Sequence, residues 1–117
     1  MPKNARMIRI NDEIARAAAD IIRFEMSDPR IGTVVSVTDA KATSDLKFCK
    51  ISVSMLNEEG QEETIAALQN AAGFVRKRIA EKVNLRNTPE ITFVLDDSIA
   101  YAMRMHKLID EVNRHDP

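Results

Sequence analysis

The sequence predicts a two-layer α+β sandwich, in which helices cover one face of a small sheet. Its 117 residues are the length of one domain, and no linker or repeat divides them. Apolar residues recur first with the period of a helix and then with the period of two that marks half-buried strands. The predicted order is helix, strand, strand, helix, helix, strand, helix, which suits helices packed on one side of a sheet. We therefore expect one domain over residues 1–117, with 1–6 as a flexible arm and 115–117 as a frayed end.

The first helix is expected to run from about Ile10 to Met26. Asn11 and Asp12 can cap its start, and the turn Ser27-Asp28-Pro29 follows its end because proline cannot continue a helix. The apolar positions at helical spacing are Ile10, Ile14, Ala17, Ala18 and Ile21.

Two strands joined by a turn are expected next. Val35 and Val37 begin the first strand, and Thr43, Ser44 and Asp45 supply the turn. The second strand places Cys49, Ile51, Val53 and Met55 on one face. The opposite face is polar, so the helices should cover only the apolar one; it holds Ser36, Thr38, Lys50, Ser52, Ser54 and Thr92.

The pattern becomes helical again from about Gln61 to Val83, and Gly73 interrupts it. Glycine inside a helix costs about 1 kcal/mol relative to alanine, so we predict two helices with a kink at Ala71-Ala72-Gly73. The third strand contains Ile91, Phe93 and Leu95. A last helix, capped by Asp97 or Ser98, carries the apolar stripe Tyr101, Ala102, Met105, Leu108, Ile109 and Val112.

Composition limits the location and the partners. The formal net charge is −1, which by itself argues against nucleic-acid binding, since such domains are usually basic. Cys49 is the only cysteine, so no internal disulfide can form, as in a reducing compartment. No apolar run resembles a signal peptide or reaches the ~18 residues of a membrane span. We expect a cytoplasmic protein.

Five segments carry a family resemblance: Asp28-Pro29-Arg30, Ser44-Asp45-Leu46, Leu68-x-x-Ala71-x-Gly73-x-x-Arg76, Leu85-Arg86-x-x-Pro89 and Phe93-x-x-Asp96-x-Ser98. In their order and spacing, from about residue 6 to residue 110, the chain resembles ribosome-binding factor A. The resemblance implies a type II KH-like fold, binding to the free small (30S) ribosomal subunit and its 16S rRNA, and a role in late assembly, in maturing the 5′ region of that RNA and in cold adaptation. It implies neither catalysis nor a cofactor.

The Ala-x-Gly kink is the part of the resemblance that concerns RNA most directly. Ordinary KH domains clamp RNA with a Gly-x-x-Gly loop, which is absent from this sequence. The resemblance implies that a kink of the form Ala-x-Gly takes its place, and Ala71-x-Gly73 matches that form.

A basic cluster follows the kink, with a single acid, Glu81, among its members. Phosphate neutralisation needs such a cluster, and a helix that begins at Gly73 offers unpaired N–H groups and room for close approach. A phosphate site and an ordinary solvated helix face both remain open. The candidate RNA-binding residues here are Ala71, Gly73, Arg76, Lys77, Arg78, Lys82 and Arg86.

Further candidates lie near the N-terminus. Lys3, Arg6 and Arg9 precede any acid and are expected to form an arm that meets phosphate. Arg30 either pairs with Asp28 or reaches RNA. The other cations of the first helix are expected to be ion-paired on a solvated surface. Outward-facing Phe74 has two interpretations, stacking on a base or packing at the kink.

We therefore predict a monomeric RNA-binding assembly factor with no cofactor, no metal and no membrane partner. The alternative is a protein-interaction module without direct RNA contact, which the near-zero net charge favours. The salt dependence of the binding affinity distinguishes the two hypotheses, because RNA-driven binding weakens steeply as salt rises. A small enzyme is the least favoured hypothesis, since the sequence offers no acid–base or metal constellation.

Overall fold

The computed structural model describes residues 2–26, 35–55 and 59–96, and for residues 2–4 the backbone alone. Its elements are helix α1 (Pro2–Phe24), strands β1 (Val35–Ala42) and β2 (Phe48–Met55), helices α2 (Gln61–Asn70) and α3 (Ala72–Lys82), and strand β3 (Glu90–Leu95). The predicted last helix, with its Asp97 or Ser98 cap, lies outside the described residues.

The strands form one sheet in the order β1-β2-β3, antiparallel between β1 and β2 and parallel between β2 and β3. The predicted hairpin turn is confirmed: the Thr43 N–H donates to the Phe48 carbonyl at 2.8 Å. An irregularity between Val37 and Asp39 shifts the register of β1. Because of this shift, Ala40 is buried where strict alternation from Val37 would place Asp39 inside.

The core fills the space between the helices and one face of the sheet. Ile14 of α1, Ile51 of β2 and Leu68 of α2 are fully buried within it. The predicted inward positions of the second helical segment, Val75, Ile79 and Val83, are also confirmed as buried. Burying each large aliphatic side chain contributes roughly 1.5–3 kcal/mol. Tertiary burial, rather than local propensity, therefore holds these short elements.

Helix α1 begins earlier than the sequence predicts. It starts at Pro2 and ends at Phe24, so most of the expected arm, residues 2–6, is the first part of the helix. Proline is well tolerated in a first helical turn, which leaves the basic residues after it free to be helical. Asn11 is consequently no cap. Its Oδ1 instead accepts a hydrogen bond from the Ala42 N–H at 2.9 Å, which ties α1 to the end of β1.

The predicted kink between the two middle helices is confirmed, with Ala71 as the one residue between α2 and α3. Gln69, at the end of α2, anchors this corner to the sheet. Its Oε1 accepts from the Phe93 N–H at 3.0 Å, and its Nε2 donates to the Ile91 carbonyl at 3.4 Å. The side-chain amide thus pairs with β3 much as a neighbouring strand would.

Candidate nucleic-acid interface

A groove of about 840 Å³ lies between α1, from Arg6 to Asp20, and the end of α3 with the residues that follow it. We call it the basic groove and define it by its charged lining: the cations Arg6, Arg9, Arg16, Lys82 and Arg86, with the carboxylates Glu13 and Asp20. Its apolar floor includes Ile10 and Leu46. A second depression of about 590 Å³ shares Arg6 and Arg86 and extends the groove to the hairpin turn at Ser44 and Asp45.

The hairpin turn forms one wall of this groove and of its extension. Leu46 has a φ of 59°, a left-handed conformation that is strained for a bulky side chain, yet its side chain is buried. Asn87 Nδ2 donates to the Leu46 carbonyl at 2.9 Å, which joins the turn to the loop that carries Arg86. The pKa of Asp45 lies below its usual value, because the Thr43 hydroxyl and the Lys47 N–H donate to its carboxylate.

Cations of α3 that were candidate phosphate ligands are partly used within the protein. Arg76 donates through Nε and Nη2 to the Thr88 carbonyl, at 3.2 and 3.0 Å. Arg78 bonds the Glu25 carboxylate, whose other oxygen lies 3.1 Å from Lys82 Nζ. The hydrogen bond from Arg78 is the main reason that the pKa of Glu25 lies below its usual value. The cluster is therefore less available to phosphate than its sequence suggests.

The other cations of the basic groove, on α1 and at Arg86, remain more accessible than Lys82. Arg9 lies 3.6 Å from Glu13, and Arg16 lies 3.2 Å from Asp12, both as exposed pairs on α1. Such exposed pairs contribute only about 0–1 kcal/mol, so a phosphate can compete for them. Arg6 and Arg86 have no carboxylate within ion-pair distance among the described residues.

The structure therefore brings together Arg6, Arg9, Lys82 and Arg86, which the sequence had assigned to two separate basic groups. It adds Arg16, which sequence reasoning left on an ion-paired surface. Spacings of three and seven residues put Arg6, Arg9 and Arg16 on one face of a helix. This spacing predicts a shared basic face only if α1 is known to begin at Pro2. Arg30 and the Lys3 side chain lie outside the described part of the structure.

The kink leaves space for an external ligand. A Cβ on Gly73 would meet no atom within 4 Å, and its φ is not positive. Among the described residues, nothing therefore requires glycine for packing or backbone geometry. Next to it, Phe74 is 43% exposed, so packing at the kink does not bury that ring. Lys77 is exposed and has no ion-pair partner in the described part of the chain.

Other chemistry-bearing residues have structural surroundings. Cys49 is buried as predicted, and burial raises the pKa of its thiol to about 11. The Asp96 carboxylate accepts from the Thr38 hydroxyl at 2.7 Å, and the backbone N–H of Asp96 donates to the Val53 carbonyl. Within residues 2–26, 35–55 and 59–96, no three His, Cys, Asp or Glu side chains are grouped to hold a metal. None of the helices described there is long and apolar enough to span a membrane.

Comparison with known proteins gives consistent matches. Residues 6–109 match the family model for ribosome-binding factor A. Ribosome-binding factor A from Lachnospira eligens is 48% identical over 118 aligned positions, covering 99% of this chain and 91% of the relative. The crystal structure of ribosome-binding factor A from Thermus thermophilus superposes with a TM-score of 0.68 at 24% identity, covering 76% of this chain and 94% of that one.

A third match comes from a larger assembly. A homology model of the Thermus thermophilus factor, fitted into a cryo-EM map of a 30S complex, has a TM-score of 0.61 at 24% identity and covers 74% of this chain and 91% of that one. The two superpositions confirm the predicted α+β, KH-like fold.

Proposed function

This chain belongs to the ribosome-binding factor A family, and from that premise we propose that it binds the free small ribosomal subunit through direct contact with 16S rRNA. A Thermus thermophilus relative of the same fold has been fitted into a map of a 30S complex. The basic groove is the main support for direct RNA contact, because its lining contains five cationic side chains and only two carboxylates. Phosphate contacts of this kind supply most of the sequence-independent affinity for nucleic acid.

The distribution of charge explains how a chain of net charge −1 would bind a polyanion. Glu62 and Glu63 lie in the first turn of α2, where they suit the positive end of the helix dipole. They are not among the residues that line the basic groove. The negative charge of these two residues thus lies outside the proposed RNA surface, where the five groove cations outnumber Glu13 and Asp20. One face can therefore attract RNA while the whole molecule is nearly neutral.

Binding of this kind would assist assembly by favouring one conformation of the maturing subunit. A ligand shifts a conformational equilibrium only by its differential affinity for the two states. We propose that the protein acts as a cytoplasmic monomer in late subunit assembly and in processing of the 5′ region of 16S rRNA, with a role in cold adaptation. It needs no catalytic residue for that role.

A protein-interaction module without RNA contact is the second candidate. The observation that favours it is the internal use of Arg76, Arg78 and Lys82, which bind the Thr88 carbonyl and Glu25. The salt dependence of subunit binding distinguishes the two candidate functions, because the affinity of a protein interface depends on salt much less than that of phosphate contacts does.

Co-sedimentation with purified small subunits tests the proposal. We expect the variant Arg6→Glu/Arg86→Glu to lose binding without unfolding, because both side chains are exposed and lack ion-pair partners among the described residues. Arg23→Glu is the matched control, since Arg23 is also exposed but lies over the Phe24 ring near the other end of α1. Arg76 is unsuitable, because its loss would also remove two hydrogen bonds to the Thr88 carbonyl in the loop that carries Arg86. Full binding by the double variant would contradict the proposed surface.

Two further measurements address the RNA itself. Ultraviolet crosslinking of the complex should join the protein to 16S rRNA, with the crosslinked peptides mapping to the basic groove. Cells that lack the protein should accumulate small-subunit RNA with an extended 5′ end, and more so at low temperature. Crosslinks to ribosomal proteins alone would favour the interaction-module candidate.

A further inference from the structure

Phe48 is a large apolar side chain on the sheet face that none of the described helices covers. It begins the central strand β2, and 55% of its surface is exposed. Its neighbours Cys49 and Ile51 point into the core, so Phe48 and Lys50 share the opposite face. A single exposed apolar residue is ordinary. The residues around this one are what point to a ligand.

Two lysines face each other beside the ring. Lys41 of β1 is the register partner of Lys50 of β2, and both are exposed. Like charges directly opposite each other in a sheet are destabilising, and neither lysine has an ion-pair partner among the described residues. A third lysine, Lys47, immediately precedes Phe48. This corner of the sheet therefore holds three lysines next to an aromatic surface, and none of them forms an ion pair among the described residues.

Carboxylates limit where an anion can lie on this face. Glu90 of β3 is in register with Phe48, and Asp39 of β1 is opposite Ser52, farther along the sheet. The favourable path for a phosphate chain is thus over the β1 side, past Lys41 and Lys50. The hairpin turn lies at this end of the sheet, and its Thr43 pairs with Phe48 through the Thr43 N–H at 2.8 Å. Since that turn also lines the extension of the basic groove, the two surfaces adjoin.

We propose that Phe48 stacks on an unpaired RNA base, while Lys41, Lys47 and Lys50 contact the neighbouring phosphates. This inference rests on the proposed function and extends it from phosphate contact in the groove to base contact on the sheet. Aromatic side chains flanked by cations are the usual platform for single-stranded RNA, and stacking tolerates any base because each has a π-face. RNA-binding sheets use exposed aromatic residues of their strands in this way.

A tryptophan reporter tests the stacking directly. The chain contains no tryptophan, so Phe48→Trp introduces a single indole at the proposed site and keeps an aromatic ring there. Phe24→Trp is the control, because Phe24 is even more exposed, at 71%, but lies at the end of α1. Each variant is titrated with decauridylate and with an abasic oligomer of the same length. Fluorescence reports stacking, and anisotropy of the labelled oligomer reports binding.

We expect decauridylate to quench Phe48→Trp, the abasic oligomer to bind without quenching it, and Phe24→Trp to respond to neither. Phe48→Ala should weaken decauridylate binding by about 5- to 150-fold, since stacking is worth roughly 1–3 kcal/mol per base, and should leave abasic binding unchanged. Binding without quenching at position 48 would overturn the stacking proposal and leave the proposed function standing. Poor quenching of free Phe48→Trp by acrylamide would also overturn it, since the face would then be covered.

The two failures can be told apart with small subunits. If wild-type protein binds neither oligomer but co-sediments with small subunits, stacking on single-stranded RNA is refuted and subunit binding stands. If it fails to bind small subunits as well, the proposed function fails together with the stacking proposal.

Discussion

Replacing Arg6 and Arg86 with alanine should reduce the salt dependence of RNA binding by a predictable amount. These two groove cations have no carboxylate partner among the described residues, whereas Arg9, Arg16 and Lys82 each lie within 4.0 Å of one. An unpaired cation gives its full effect when it meets a phosphate. A paired one must first exchange its own carboxylate, which reduces its net contribution.

The magnitude follows from counterion release. Each phosphate contact on single-stranded nucleic acid contributes about 0.7 to the slope of log K against log salt, so losing two contacts should lower the slope by about 1.4. Over a fourfold rise in salt, wild-type affinity should then fall about sevenfold more than that of the double variant. Each single variant should lie near the midpoint.

The assay is fluorescence anisotropy of a labelled single-stranded oligoribonucleotide, repeated across a salt series. Arg23→Ala is the control, because Arg23 lies seventeen residues from Arg6, or about 25 Å along the helix axis. Thermal unfolding should show that the variants fold as the wild type does. An unchanged slope in the double variant, with folding intact, would refute the assignment of these two side chains to phosphate.

Other changes test the kink, the half-buried ion pair of Glu25 with Arg78, and the core. Gly73→Ala should stabilise the protein by about 0.5–1 kcal/mol in urea unfolding, since nothing blocks a Cβ and alanine is the better helix former. If RNA approaches the kink, the same substitution should weaken subunit binding. Unchanged binding would show that the kink does not contact RNA. Because the folded-state pKa of Glu25 lies below its usual 4.5, its bond with Arg78 should stabilise the fold above about pH 4.5 and be lost as pH falls through the lowered pKa. Glu25→Gln should therefore be less stable than wild type at pH 7, with the gap closing in acid, and a gap independent of pH would contradict the ion pair. Leu68→Ala should cost about 2–5 kcal/mol, because Leu68 is fully buried, and a loss below about 1 kcal/mol would mean that the core does not enclose it.

Strands and the kink were predictable because their signals are local. The alternation in β2 and the glycine in the second helical segment each act within a few neighbouring residues, so the predicted elements match the observed ones. The start of α1 was not predictable in the same way. Asn11 resembles a helix cap, but its amide serves Ala42, thirty-one residues away in sequence. A tertiary hydrogen bond therefore uses the Asn11 side chain that the local sequence pattern had predicted to cap the helix.

The candidate site was only partly predictable, because charge partners are set by the fold. Arg78 and Glu25 are separated by 53 residues, and no pattern within either helix indicates that they meet. The fold that pairs Arg78 with Glu25 also places Arg6 and Arg86 in one groove. Sequence reasoning found the cations, but which of them stay available depends on how α1 lies against α3.

The amide of Gln69 has a consequence for self-association. In the described sheet, β3 has a strand neighbour only on its β2 side, and an unpaired strand edge is a template for pairing with another molecule. The amide occupies that template at Ile91 and Phe93 only while α2 stays docked. Conditions that loosen the corner between α2 and α3, such as mild heat, should therefore lead to oligomers joined through β3 before the rest of the domain unfolds.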